Sequence, residues 1–375
     1  MWRLSADWRE RRPIAPMGIL RASRQGGIYV LLGRSLPASL LALSTLSIMA
    51  PVAHPASVAP GTEVVGAFPA PPTGAGPGTL AAWSLHPSTT RVGNYGQPGT
   101  ASGNSFYVGY SAATHSIYAP TAAGTTYILN GSTLQTTGTF PSLPGGRIGR
   151  VVPNRHLLLV LAGNGLAAYG LNTHQQRFYD SAVGGNALIT SPNGKIAYVA
   201  GNMDSVITAV NVSTGKVLRT YPVPQIGDMV WAHGQIFAAD IKTGVMTALN
   251  PQTGTIVPIS TPEVDPQFSY SNIPGATAGF MQVAVGPHHN TVYAAGFSGH
   301  ILKFSATQDT YLGEVSVNAN PQGANQLSGL AILPGGNLAL VTVENLHASV
   351  VVNLANGSIM KTIPQFASNR WLLIR

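Results

Sequence analysis

Slid along itself, the chain matches at a period of about forty residues, and this repeat limits the fold more than any single motif. One apolar segment recurs as SIYAP (116–120), LLLVLA (157–162), IAYVAG (196–201), IFAAD (236–240), TVYAAG (291–296) and LALVT (338–342). A turn precedes each: SAATH, VPNRH, SPNGK, AHGQ, GPHHN and LPGGN. An alternating segment such as SVITAVNV or GHILKFSA follows, and period-two alternation buries one face of a strand. A further turn and strand close each unit, as in GKVLRTYPV and GSIMKTIPQ. Six such units of four strands predict an all-β chain, a single β-propeller whose blades bury apolar faces against their neighbours. A ring needs closure, and Arg370–Ile374, Leu80–His86 and Arg91–Tyr95 are the segments available for it. Seven four-stranded blades are therefore expected, six recognisable and the seventh a composite closing blade.

Composition agrees. Of 375 residues, 45% are hydrophobic and only 9% charged, with 43 Gly and 28 Pro. Short strands joined by tight turns give that mixture; long helices do not. The net charge of +8 comes largely from Arg3, Arg9, Arg11, Arg12, Arg21, Arg24 and Arg34, with only Asp7 and Glu10 beside them. The remainder is close to balanced, so no nucleic-acid partner is expected. The chain contains no cysteine, which excludes disulfides, thiolate metal sites and covalent c-type haem.

Beyond the arginines, LPASLLALSTLSIMAPVA (36–53) carries no charge. A basic segment ahead of an apolar run reads as an export signal or membrane anchor over residues 1–56. The expected location is extracytoplasmic, periplasmic or secreted, with membrane contact only if this segment is retained. Residues 57–79, rich in Pro and Gly, read as a linker or peripheral segment, and 80–375 as the propeller.

The stretch SPNGKIAYVAGNMDSVITAVNVSTGKVLRTYPV (191–223) closely resembles the YVTN-type repeat of YncE-like propellers. Residues 286–317 and 333–365 resemble it too, and the likeness spans roughly 105–365. That resemblance implies a seven-bladed, usually exported propeller, often of unassigned function. Asn211 departs from it, standing where the family favours Asp.

Asn130, Asn172, Asn211, Asn250 and Asn353, with Ser305, recur at the turn between third and fourth strands. Gly215, Gly254 and Gly357 follow four residues behind three of them. Asn bonds backbone N–H groups ahead of it and Gly accepts positive φ, so these positions read as turn chemistry. NVSTGK (211–216) is therefore a turn and not part of a nucleotide-binding loop, because Val stands at 210 and 217 where such a loop needs Gly and Ser or Thr.

His115, His156, His233, His288 and His289 fall in or beside the turns between first and second strands. They are candidate metal ligands if the ring gathers them, and surface turn residues if it does not. The opposite mouth presents Arg147, Arg150, Asn186, Asp228, Gln282 and Gln326 where the innermost strands begin, a candidate site for a small-molecule or protein ligand. The two arginines favour an anion. A 258–278 insertion carrying Glu263, Asp265, Phe268 and Tyr270 is a second candidate.

The expected function is a non-enzymatic binding or interaction module, with no cofactor predicted. The alternatives are a lactonase-like metal-dependent hydrolase, for which only Asp228 is an evident ligand, and a quinone-cofactor oxidoreductase.

Overall fold

A computed structural model describes residues 62–67, 78–85, 87–96, 105–201, 204–262, 279–323 and 325–374, all within the second of two compact units, Ala53–Arg375. The export segment 1–56, the insertion residues Glu263, Asp265, Phe268 and Tyr270, and His86 lie outside the described residues. Among those described, no helix is long and apolar enough to cross a membrane.

Seven four-stranded antiparallel sheets form the propeller. The first complete blade in the chain comprises β4 (Gly109–Ser111), β5 (Ser116–Pro120), β6 (Thr125–Asn130) and β7 (Thr136–Pro141). The next holds β8 (Ile148–Val152), β9 (Leu157–Ala162), β10 (Gly165–Gly170) and β11 (Gln176–Asp180). Then come β12 (Ala187–Thr190), β13 (Ile196–Ala200), β14 (Ile207–Asn211) and β15 (Val217–Tyr221). A blade of β16 (Ile226–Ala232), β17 (Gln235–Asp240), β18 (Met246–Leu249) and β19 (Ile256–Ile259) follows. After it stand β20 (Phe280–Val285), β21 (Thr291–Gly296), β22 (His300–Ser305) and β23 (Thr310–Ser316). The last complete blade is β24 (Leu327–Ile332), β25 (Leu338–Val343), β26 (Ala348–Asn353) and β27 (Ile359–Pro364).

The composite blade runs β28 (Leu372–Ile374), β1 (Glu63–Ala67), β2 (Gly78–Ser84) and β3 (Thr89–Tyr95). One C-terminal strand is thus clasped by three from the N-terminal side. This corrects the linker expected over 57–79: EVVGA within it is a buried strand, paired on one side with β2 and on the other with β28. Its short apolar run is hidden in sequence by the Pro- and Gly-rich residues around it, and a strand needs no more than five residues.

Burial follows the alternation. Inner and middle strands such as β9, β13 and β25 are almost wholly buried, while outer strands such as β15 present exposed residues. Each apolar cluster spans neighbouring blades: Ile189, Tyr198 and Ile207 of one meet Ile226, Met229 and Ile236 of the next. No blade covers both of its own faces, so stability belongs to the ring.

Turn chemistry repeats. The Asn211 carboxamide oxygen accepts from the N–H groups of Ser213 (2.9 Å) and Thr214 (3.1 Å), and Asn130 and Asn250 do the same. Gly215 then takes φ 76° and returns its N–H to the Asn211 carbonyl at 2.8 Å. Blade by blade the left-handed place is filled by Leu134, His174, Gly215, Gly254, Asp309 or Gly357. The partner of His174 is Gly170, so the corresponding position in that blade is Gly170 and not Asn172.

Candidate functional site: the axial channel

The innermost strands β28, β4, β8, β12, β16, β20 and β24 surround the axis. Their starts are not equivalent. β8 and β12 pair regularly with β9 and β13. In β16, β20 and β24 one extra residue enters near the start, with register shifts between Ile226 and Asp228, Phe280 and Val283, and Leu327 and Leu330. Such bulges re-aim side chains and free backbone groups from the ladder. Asp228, Gln282 and Ser328 all lie at these irregularities, and all three are buried.

Asp228 Oδ2 accepts the Val283 N–H of the next blade at 2.9 Å and faces Arg370 Nε at 3.9 Å. Burial pushes its carboxyl above the usual range; Arg370, the N–H groups of Val283 and Met229, and Arg150 pull the other way. Arg370, 4% exposed, donates to the carbonyls of Asn369 (2.9 Å) and Gly227 (3.2 Å). Its guanidinium lies 4.9 Å from the centre of the Phe106 ring. Arg370 therefore reaches from the closing segment to the opposite wall. Tyr107, bridged to Ile148 of β8, lies beside the Arg150 side chain, and burial raises its phenol pKa against the pull of Arg150 and Arg370.

Two cavities share Arg370, Asn186 and Ile148 as walls. One, about 320 Å³, runs toward the turns between first and second strands and also includes Tyr107, Arg150, Asp228, Trp231 and His289. The other, about 280 Å³, opens toward the loops before the innermost strands and includes Phe106, Arg147, Ile241 and Met281. Arg370 stands between them as a bolt across the channel.

Of the six residues expected at the mouth, Arg150, Asn186 and Asp228 meet in the first cavity. Arg147 is exposed and lines only the second. Gln326 lines a separate hollow of about 290 Å³ with Thr342, Glu344, Asn345, His347 and Asn369. Burial raises the Glu344 carboxyl pKa there, opposed by the Ser328 hydroxyl, Arg370 and His347.

Gln282 is bonded into the ring. Its Nε2 donates to the Trp371 carbonyl (2.8 Å), and its Oε1 accepts from Leu330 N–H (2.7 Å) and Trp371 N–H (2.8 Å). Its carboxamide oxygen and one of its two N–H donors are spent joining three blades. A polar residue at the start of an innermost strand can serve the lumen or the bulged backbone, and sequence pattern does not distinguish them.

The five histidines do not gather. Among the described residues no group of three or more His, Asp or Glu side chains is placed to hold a metal ion. The physical reason is local: His115 (φ 47°), His156 (52°), His233 (45°) and His289 (57°) each occupy the left-handed position of a tight turn. Gly194 (64°) and Gly336 (75°) occupy that position in other blades. His is enriched in the left-handed region relative to most side chains, so it substitutes for Gly there. His115 is further held by the Tyr110 hydroxyl (2.7 Å) and Ser132 hydroxyl (2.8 Å), and His288 is exposed.

The residue that sequence reasoning missed is Arg370. Its one available signal was a charge beside the apolar run Trp371–Ile374 in a segment already assigned to ring closure.

No family model matches the chain, and no curated protein matches it in sequence. Solved structures do. Hydrazine synthase from Kuenenia stuttgartiensis superposes with a TM-score of 0.59 at 11% identity, over 71% of this chain and 88% of that one. A protein from Lactobacillus plantarum superposes with a TM-score of 0.61 at 11% identity, over 84% of this chain and 99% of that one. At that identity the likeness carries the fold and not the chemistry: this chain is built as a seven-bladed β-propeller.

Proposed function

We propose that the protein is an exported propeller of the YVTN-repeat type that works outside the cytoplasm as a non-enzymatic binding module. Its ligand is held in the axial channel. The observation that carries this reading is the convergence of Arg150, Asn186, Asp228, Arg370 and Tyr107 on a concave space whose other walls are mainly apolar strand residues, with Thr190, Ser191 and His289 at its turn-side end. A few polar groups fixed among apolar walls are the usual make-up of a small-molecule site. The export element is supported by the arginine-rich segment ahead of residues 36–53, and the family by the 191–223 repeat.

The test is thermal unfolding against a panel of small anionic, neutral and cationic compounds, with protease accessibility in intact cells reporting location. A compound that raises Tm in the wild type but not in Asn186→Ala supports the reading. Catalytic turnover of a lactone or of an alcohol with a quinone acceptor by the purified protein would overturn it.

A further inference from the structure

We propose that the turn-side half of the channel binds a small monocarboxylate with an apolar tail, the carboxylate on Arg150 and the tail against Ile189, Val283, Val285 and Trp231. This rests on the binding-module reading and narrows it to one ligand class.

Charge points to an anion. The polar end of the cavity holds two guanidiniums, Arg150 and Arg370, and one carboxylate, Asp228. Asp228 is committed first to Arg370 and to the Val283 N–H, and of its partners Arg150 acts on it least. None of the ion pairs among the described residues includes Arg150. Among the described residues the Tyr107 phenol is the neutral side-chain group that acts on it, and one phenol engages at most a single donor of the five a guanidinium carries. Among the residues lining this cavity one positive charge is therefore left over in a half-buried place, Glu344, which also acts on Arg370, lining the separate hollow beside Gln326; a carboxylate matches the guanidinium fork with two parallel hydrogen bonds. A dianion would leave one charge unmatched away from water, and an amine would meet the surplus cation.

The walls select the rest of the ligand. Beyond Arg150 the cavity follows Ile189, Val283 and Val285 to Trp231, which is held against Tyr198 with ring centres 5.9 Å apart, and Thr190, Ser191 and His289 form its rim at the turns. Its 320 Å³ equals roughly ten water volumes, space for a short aliphatic or single-ring acid. Inorganic phosphate would satisfy Arg150 but leave those walls wet.

Isothermal titration of the full chain with hexanoate, hexanol, hexylamine and inorganic phosphate tests the proposal. Hexanoate is expected to bind at least about tenfold more tightly than the other three, the loss of a charge-assisted hydrogen bond being of that order. Arg150→Gln should weaken hexanoate by roughly tenfold or more, and Arg150→Lys by less. Lys216→Gln, which removes an exposed charge in a turn of the β14–β15 hairpin, should change nothing. Equal binding of hexanol and hexanoate, preference for phosphate or hexylamine, no binding of hexanoate, or an unchanged Arg150→Gln affinity would each overturn it. Should Arg150→Gln fail to fold, the wild-type selectivity decides by itself. A neutral or cationic panel compound whose Tm shift is lost in Asn186→Ala would overturn the carboxylate assignment while leaving the binding module standing.

Discussion

The blade of β12–β15 and the composite blade solve one problem by opposite means. In the first, every strand pairs with its sequence neighbour through short turns, and the paired registers lie close along the chain. In the second, Glu63, Val64 and Val65 pair with Ile374, Leu373 and Leu372 across nearly the whole chain. The local blade forms from hairpins; the composite blade forms only once the ring has brought its two ends together, and non-local pairing of that kind carries the largest loop-closure cost. The closing segment is accordingly dense in specific bonds. Trp371 stacks on Phe366 at 4.9 Å, donates Nε1–H to Thr342 at 2.9 Å and is bonded through its backbone to Gln282. The Ser368 hydroxyl donates to the Ala67 carbonyl, tying the segment to β1. The same segment carries Arg370 into the channel, so ring closure and site assembly are one event.

The comparison breaks most visibly at the large aromatics. Trp371→Ala is expected to cost about 3–5 kcal/mol, the usual range for a buried aromatic, and to speed unfolding of the whole ring. Tyr198→Ala in the local blade removes a side chain of similar burial and should cost a comparable or smaller amount, without loosening the chain ends. Urea unfolding with amide exchange on β1 and β28 checks this. Equal protection of those strands in the two variants would mean that the closing segment has no special role.

Gln282→Ala comes next. It leaves the Trp371 and Leu330 N–H groups and the Trp371 carbonyl without partners in a buried place, and should cost roughly 2–4 kcal/mol. Were Gln282 a ligand group, Ala would instead leave Tm unchanged and alter binding.

A smaller pair of substitutions compares turns. Gly194→Ala must take φ 64° and brings its Cβ to 2.8 Å from Val152 Cγ1, so a loss of about 1–2 kcal/mol is expected. His156→Gly relieves the left-handed backbone but adds freedom to the unfolded chain, and should stay within about 1 kcal/mol of the wild type. Equilibrium urea melts resolve both. These two sites also show why the metal expectation failed: a histidine repeated at one turn position satisfies a backbone angle, and six blades repeat the angle without bringing the imidazoles together.

Legibility in the sequence followed the same division. The six local blades were readable because turn residues and alternation sit within forty residues of each other. β1 was not, because its neighbours suggest a tether and one of its two partners, β28, lies at the far end of the chain. At the channel, Arg150, Asn186 and Asp228, expected at the starts of innermost strands, line one cavity. Arg370 was hidden because its position depends on closure, and the bonds of Gln282 to neighbouring blades were hidden because a bulge creates backbone needs that no periodicity displays.

The gentlest perturbation is protonation of the contact that joins the closing segment to the far wall. Asp228 faces Arg370 and Arg150, the N–H groups of Val283 and Met229, and the Tyr107 phenol, yet burial outweighs these and raises its pKa. A carboxyl with a raised folded pKa binds its proton more readily in the native chain than in the unfolded one. Its contribution to stability therefore grows as pH falls through the interval between the ordinary aspartate range and the raised value, and is lost as pH rises back through it. Glu344, raised by burial as well, acts in the same direction. The Tm of the wild type relative to Asp228→Asn should thus increase from about pH 7 to about pH 4, because the amide does not titrate. A wild type that loses ground on acidification would mean that the Arg370 ion pair outweighs burial at Asp228. The closing segment would then be held by charge, where the local blades are held by packing alone.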